Sequence, residues 1–243
     1  MDNTRRLLYL EAMEIDVWTP KKDLGVSESG TERIDKTNSD GHVDKAFTID
    51  KPLPPQNDNS LAALKVLSEQ VAVCNACSLH ETRTRTVFGK GNSSANWLLI
   101  GEAPGQSEDL QGEPFVGKAG QLLTEMLRAI NLNRDEVFVT NILKCRPPNN
   151  RDPKKDEIAA CHEFLQQQIN LIQPKIILAI GRVAAQQLLN TDTPIGKLRG
   201  KIHYLEKIPI VVTYHPAYLL RSLKEKRKAW QDLQMAIKTY KNL

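Results

Sequence analysis

Four short apolar runs between residues 97 and 213 are each continuous rather than alternating in hydrophobicity. Runs of this length and continuity predict strands that are buried on both faces, as in a parallel sheet. The four predicted strands are 97–100, 137–143, 175–180 and 208–213.

Helical patterns separate and follow these runs. Positions 121–130 carry apolar residues at helical spacing, and positions 158–172 do so after the start signal Asp152-Pro153, with Cys161 on the inner face. A third helix is predicted at 183–189, and a terminal one carries a stripe of Trp230, Leu233, Ile237 and Tyr240. The alternation predicts an α/β protein, a three-layer α/β/α sandwich around a central, mainly parallel four-stranded sheet.

The first sixty residues differ in kind from the rest. Residues 1–60 contain 8 basic and 12 acidic residues, a net charge of −4, and positions 21–60 are rich in turn formers and charges, which is typical of a disordered linker. Residues 61–243 then carry 25 basic and 17 acidic residues, a net charge of +8. One globular domain with an anionic partner is therefore expected from residue 61 onward.

Residues 1–20 contain an apolar segment between Leu7 and Trp18 that is too small for a core. Two interpretations stay open: a short helix that docks on a replication or repair protein, or a segment that folds back onto the domain. Glu11 and Glu14 interrupt the first apolar run, so neither a secretory signal nor a membrane partner is predicted, and a cytoplasmic monomer is expected.

The chain has four cysteines, arranged as a C-x-x-C pair and a wider C-x15-C pair. This grouping predicts one metal site that joins distant segments, rather than scattered core thiols or disulfides. Zinc stays open as the metal, but the irregular second spacing favours an iron–sulfur cluster. The predicted ligands are Cys74, Cys77, Cys145 and Cys161.

Unusual residues follow the predicted strands. The first strand leads into Gly101-Glu102-Ala103-Pro104-Gly105, the second contains Asn141, the third precedes Gly181, and the fourth precedes His215-Pro216. The carboxyl ends of parallel strands meet at one edge, where α/β proteins bind their ligands. These turns therefore form one candidate active site.

The motifs GEAPGQSED, GEPFVGKAG, TNILKCRPPNNR and HPAYLLR, together with the cysteine pairs, resemble those of the family 4 uracil-DNA glycosylases, the iron–sulfur-containing branch of that superfamily. The resemblance covers residue 61 to the C-terminus. It implies a DNA repair enzyme that flips uracil out of single- or double-stranded DNA, hydrolyses its N-glycosidic bond and holds one structural 4Fe-4S cluster.

The resemblance also implies roles for single residues. His215 would donate a hydrogen bond to the uracil carbonyl as negative charge develops, Asn141 would pair with the base edge, and Phe115 would stack on the flipped ring. Glu102 would position water or sugar, although Ala103 stands where family 1 enzymes have an aspartate. Glu108 would lie near the C5 edge of the base or cap its helix, and Gly101 and Ala103 would complete the base pocket.

Contacts with DNA are expected from turns rather than from a helix that reads a groove. The segments 197–201 and 215–221 supply cations and an apolar wedge that would offset part of the cost of unstacking a base. The residues expected at this interface are Lys197, Arg199, Tyr218, Leu219 and Arg221, with Leu220 in the wedge.

Four other classes of protein compete with this interpretation. A broader-specificity deaminated-base glycosylase of the same superfamily commonly lacks a glutamate at the position of Glu102. A metal-clamped DNA-binding module would need only the cysteines and the basic turns, and an electron-transfer protein would leave His215 and Asn141 unexplained. A dinucleotide-binding enzyme is disfavoured because no G-x-G-x-x-G follows the first strand.

Overall fold

The computed structural model describes residues 58–243, with side chains from residue 60 onward. The predicted docking segment 1–20 and nearly all of the predicted linker lie outside the described residues. The first described helix, α1, spans Asp58–Ala72 and so begins three residues before the predicted domain boundary.

The centre of the described domain is a six-stranded sheet in the order β1-β3-β2-β4-β6-β5. Its four inner strands pair in parallel and coincide with the four predicted runs. The strands are β1 (Lys90–Gly91), β2 (Trp97–Gly101), β3 (Val137–Asn141), β4 (Ile176–Ile180), β5 (Ile202–Leu205) and β6 (Ile208–Thr213).

The predicted strand number of four is wrong because each edge of the sheet carries one further antiparallel strand. β1 has only two residues, and the residues of β5 alternate between exposed and half-buried, so neither strand produces a continuous apolar run. Short edge strands of this kind offer little free backbone for pairing with another chain.

Helices cover both faces of the sheet and complete the predicted three layers. Alternate residues of β2 face opposite sides, with Trp97 and Leu99 in one core and Leu98 and Ile100 in the other. The remaining helices are α2 (Gln106–Gln111), α3 (Lys118–Ala129), α4 (Lys155–Ile172), α5 (Arg182–Leu188), α6 (Ile195–Leu198), α7 (Pro216–Leu219) and α8 (Lys226–Lys241).

The two cores differ in the helices that supply them. α3, α7 and α8 pack on the face with Trp97, whereas α1, α4 and α5 cover the face with Leu98. α1 also packs against α4, and Cys161 lies buried on the inner side of α4, as predicted. Among residues 58–243, no helix is long and apolar enough to span a bilayer.

Candidate active site and metal centre

The carboxyl ends of β2, β3 and β6 open into one cleft of about 420 Å³. The turns predicted after these three strands therefore meet there. The cleft wall includes eight of the residues predicted from the sequence, namely Glu102, Ala103, Glu108, Phe115, Asn141, His215, Tyr218 and Arg221.

His215 is the N-cap residue of α7, directly after β6, and its Nδ1 accepts a hydrogen bond from the Ala217 N–H at 3.2 Å. An imidazole nitrogen that accepts carries no proton, so the neutral ring bears its hydrogen on Nε2. Burial lowers the pKa of His215 to about 4, an effect that nearby Glu108 opposes. At neutral pH the cleft is thus provided with an uncharged Nε2–H donor.

Asn141 is the last residue of β3 and is fully buried. Its Oδ1 has no hydrogen-bond partner among the described residues. Gly101, the neighbouring residue on β2, has room for no side chain, because a Cβ there would lie 2.4 Å from that Oδ1. Gly101 thus serves the pocket by making space for Asn141, whose unpaired amide is available to a ligand.

Phe115 has a left-handed backbone with φ 55°, and its ring stacks on the His215 imidazole with centroids 5.6 Å apart. Two contacts hold this unfavourable backbone. Nη2 of Arg134 donates to the Pro114 carbonyl at 2.9 Å and to the Phe115 carbonyl at 3.3 Å. Gly120 lets α3 approach closely, since a Cβ there would lie 1.7 Å from the Phe115 carbonyl oxygen.

The Glu108 carboxylate accepts three backbone hydrogen bonds. Oε2 accepts from the Gly105 N–H at 3.1 Å, and Oε1 accepts from the N–H groups of Val116 and Gly117 at 2.9 and 3.1 Å. The first of these is the helix cap that the sequence offered as one alternative. Glu108 therefore joins the start of α2 to the loop that carries Phe115.

Glu102 lies on the cleft wall beside a second carboxylate, Asp152. Burial raises the pKa of Glu102, the charge of Asp152 raises it further, and the charge of Arg182 opposes both. Arg182 also donates to the Asp152 carboxylate, so these three side chains form one charged group at the mouth of the cleft. Ala103, where family 1 enzymes have an aspartate, also lines the cleft.

The predicted DNA-contact residues divide into two groups. Tyr218 and Arg221 line the cleft, Tyr218 and Leu220 are 38% and 42% exposed, and Lys197 is exposed on α6. Leu219 was predicted to belong to the wedge, but this is wrong for the observed conformation because it is 1% exposed and packs in the core.

Arg199 also differs from its prediction. Its side chain is 12% exposed and forms a bidentate ion pair with the buried carboxylate of Asp232. The guanidinium is therefore engaged inside the protein rather than presented to a phosphate.

The cleft includes a segment to which the sequence interpretation gave no role, namely Pro147, Asn150, Arg151 and Asp152. Arg151 is fixed by two hydrogen bonds to the buried carboxylate of Glu157. The signal was present, because Asn150 and Arg151 end the motif TNILKCRPPNNR, but only Asn141 and Cys145 of that motif were assigned.

All four cysteines are free and line one small cavity on the α1 and α4 side of the sheet. Cys74 and Cys77 follow α1, Cys145 follows β3, and Cys161 lies within α4. Two sulfur atoms also accept hydrogen bonds, Cys145 from Nη1 of Arg83 at 3.2 Å and Cys161 from the Lys144 N–H at 3.4 Å. Such donors stabilise thiolates, so the donor set fits an iron–sulfur centre.

Within residues 58–243, no three potential ligands converge as those of a single ion would. Burial raises the pKa of the Cys161 thiol to about 11 and also raises that of Cys145, so metal binding would displace protons from both.

Lys144 connects the cysteine cavity with the cleft. The side chain is 1% exposed, and its ammonium donates to Thr140 Oγ1, the Asn141 carbonyl and Gln168 Oε1 at 2.8, 2.6 and 2.7 Å. Burial lowers its pKa to about 7, against the opposing effect of Cys161 and Cys145. The residue before Cys145 thus holds the backbone of Asn141.

The fold and the cleft together define an α/β domain with a candidate active site at the carboxyl ends of its parallel strands. The family described as the Uracil DNA glycosylase superfamily matches residues 88–234. The chain belongs to this superfamily.

Relatives narrow the assignment to the type-4 group. The chain is 45% identical over 168 residues to a type-4 uracil-DNA glycosylase of Archaeoglobus fulgidus, covering 66% of this chain and 84% of the relative. It is 44% identical to that of Sulfurisphaera tokodaii, covering 73% and 88%, and 42% identical to that of Thermotoga maritima, covering 71% and 92%. The family 4 resemblance drawn from the motifs is confirmed.

Proposed function

We propose that the protein flips uracil out of DNA and hydrolyses its N-glycosidic bond, leaving an abasic site. The observation that carries this proposal is the neutral His215, whose Nδ1 accepts from the Ala217 N–H and which lines the same cleft as Asn141, whose Oδ1 has no partner among the described residues. A neutral N–H donor and an amide in one cleft suit a base that leaves as an anion.

The cleft contains groups that suit both charges that develop in this reaction. As the bond breaks, negative charge grows on the uracil and positive charge on the sugar. Nε2–H of His215 would stabilise the base, while Glu102 and Asp152 provide negative charge that suits the sugar and a water molecule. Asn141 would pair with the carbonyl and imino group of uracil, and cytosine presents the reverse pattern there.

Single-turnover excision of uracil from an oligonucleotide tests these roles. His215→Ala should lower the rate by about a hundredfold or more, the scale for losing one donor to a developing anion, with little change in DNA affinity. His162→Ala, an exposed histidine on α4, is the matched control and should behave as the wild type. Rates within a few-fold of wild type for His215→Ala would remove it from the active site.

Base selectivity tests the other part of the proposal. Asn141→Ala should slow uracil excision and reduce the preference for uracil over cytosine. Without the amide, binding of cytosine no longer leaves a mispaired hydrogen-bonding group in the pocket. Matched oligonucleotides with hypoxanthine, xanthine or thymine distinguish a uracil enzyme from a broader-specificity glycosylase. A protein that binds these DNAs without cleaving any of them would be a DNA-binding module instead.

The proposed cofactor is one 4Fe-4S cluster held by Cys74, Cys77, Cys145 and Cys161. Such a cluster would tie the end of α1 to α4 and to the segment after β3, and so support the fold. The purified protein should be brown and contain four irons. Cys77→Ala should lower the stability of the fold, and stoichiometric zinc in protein prepared anaerobically with adequate iron would contradict the proposal.

A further inference from the structure

A chain of contacts runs from the C-terminal helix α8 to helix α7 on the wall of the cleft. It begins at Asp232 of α8, which is 1% exposed. Nε of Arg199 donates to Oδ2 of Asp232 at 3.0 Å, and Nη2 donates to Oδ1 at 2.9 Å. Nη2 also donates to the Lys228 carbonyl, so α8 holds the guanidinium at two places. A planar fork bound in this way has one orientation, which a lysine cannot reproduce.

Two contacts with aromatic rings connect the fixed guanidinium of Arg199 to the cleft. The Arg199 guanidinium lies 5.1 Å from the centre of the Tyr214 ring, within the range of a cation–π contact. The Tyr214 ring in turn lies 5.1 Å from the Tyr218 ring at an interplanar angle of 46°. Tyr218 is the exposed end of this chain and stands on the cleft wall.

We propose that Asp232 and Arg199 are positioning residues, which hold Tyr218 through Tyr214 as a rigid wedge for base extrusion. The inference rests on the proposed glycosylase function. α7 is only one turn long, so its own hydrogen bonds give Tyr218 little rigidity. The supporting charge pair instead anchors the ring to α8, which runs for 16 residues across the core.

The consequence depends on the substrate. A uracil in duplex DNA must be unpaired and unstacked before it enters the cleft, whereas a uracil in a flexible single strand needs less of this work. A loosened wedge should therefore slow excision from a duplex more than excision from a single strand. Residues that act on the bound base, such as His215, should affect both substrates alike.

Asp232→Asn tests the inference with almost no change in side-chain volume. We expect the single-turnover rate on duplex DNA to fall about tenfold more than the rate on single-stranded DNA, since small misplacements of a positioning group have effects of this size. Fluorescence of 2-aminopurine next to the uracil should show less extrusion in the duplex. Glu125→Gln is the matched control, because Glu125 forms an exposed pair with Arg128 on α3.

Tyr218→Ala, alone and combined with Asp232→Asn, tests whether Asp232 acts through Tyr218. Tyr218→Ala should give the same preference for single-stranded DNA, and adding Asp232→Asn should lower the duplex rate no further, since both changes remove one wedge. Arg199→Lys should resemble Asp232→Asn and leave the salt dependence of DNA binding unchanged. If Arg199→Lys instead reduced the slope of log affinity against log salt concentration by about one, Arg199 would be a phosphate contact and the proposal would be overturned.

Two further outcomes separate this inference from the proposed function. Equal losses on both substrates in a folded Asp232→Asn protein, checked by its melting temperature, would overturn the wedge support while leaving the glycosylase function intact. If that variant does not fold, Tyr214→Leu breaks the same chain of contacts without altering the buried charge pair. Its excision rates on duplex and single-stranded DNA then test the inference in the same way. A wild type that cleaves neither substrate would overturn the proposed function, and with it the inference.

Discussion

At the scale of single residues, His215 shows how one backbone contact selects the chemistry of a side chain. The Ala217 N–H occupies Nδ1, and burial disfavours the charged ring, so the imidazole remains a neutral donor. Neither the short His-Pro turn nor the strand before it reveals this protonation state in the sequence. It follows from the three-dimensional packing of α7 against the cleft.

The depressed pKa of His215, about 4, predicts a pH dependence of stability. Because the folded-state pKa lies below the ordinary value of 6.5, protons bind preferentially to the unfolded chain. The resulting stability is present above about pH 6.5 and is lost as the pH falls through 4. Between pH 7 and pH 4, the free energy of unfolding of His215→Gln should fall by on the order of 3 kcal/mol less than that of the wild type. Denaturant unfolding at both pH values measures the difference.

The exposed His162 provides the control for this measurement. His162→Gln removes an imidazole that lies outside the cleft. If His215→Gln instead followed the wild-type profile, the imidazole of His215 would titrate normally in the folded protein and the effect of its burial would be contradicted.

Gly101→Ala should impair excision although it replaces none of the side chains assigned to the chemistry. The added Cβ would lie 2.4 Å from Oδ1 of Asn141 and 2.6 Å from Cζ of Phe115, so both must move. Single-turnover rates should fall about tenfold or more, because a shift of about 1 Å in a positioning group has effects of this order. In Gly196→Ala, the new Cβ meets no described atom within 4 Å, and the rate should not change.

At the scale of elements, the inner strands could be predicted and the edges could not. A strand buried on both faces leaves a continuous apolar run, which is why β2, β4 and β6 were found within one residue of their bounds. β1 and β5 lack that signal because an edge strand is partly solvated. α2 escaped prediction because its six residues, Gln106–Gln111, are mostly polar.

The candidate site shows the same difference between features that a local motif predicts and features that depend on tertiary packing. The placement of His215 and Asn141 in the cleft could be predicted because they lie at strand ends, and that of Phe115 because it lies in the motif GEPFVGKAG. The partners of Arg199 and the burial of Leu219 could not, because they depend on how α8 and α7 pack on the sheet. A local sequence pattern contains no information about such distant contacts.

The loop between α2 and α3 depends on Glu108, and this dependence can be measured. Glu108→Ala removes the acceptor for the N–H groups of Gly105, Val116 and Gly117. The free energy of unfolding should fall by about 1 to 3 kcal/mol, and the amides of Val116 and Gly117 should exchange faster with solvent. Slow exchange at both amides in the variant would contradict the role given to Glu108.

Two other substitutions calibrate this result. Glu108→Gln retains one acceptor oxygen and should recover part of the stability. Glu113→Ala breaks the exposed pair with Lys90 and should cost less than about 1 kcal/mol.

At the scale of the whole molecule, all residues assigned to chemistry lie within the described domain. A protein that begins at Asp58 keeps α1 complete, so it should excise uracil from short oligonucleotides at nearly the full rate. Its DNA binding should not weaken, because the removed segment carries more acidic than basic residues. Comparison of rates and salt-dependent affinities with the full chain measures both.

The opposite result would be equally informative. A shortened protein that unfolds or loses activity would show that the segment from Leu7 to Trp18 packs on the domain. The hypothesis that it docks on a replication or repair protein would then be dropped.

The positions of the four thiols along the chain also bear on how the molecule is made. Cys161 precedes β4, β5 and β6 in the sequence, so the full set of thiols leaves the ribosome before the second half of the sheet. His215 and α8 are synthesised later still. A nascent chain therefore has all four thiols while its cleft is unfinished, and if they hold the proposed cluster, iron supply during translation would act on the first half of the domain before any activity exists.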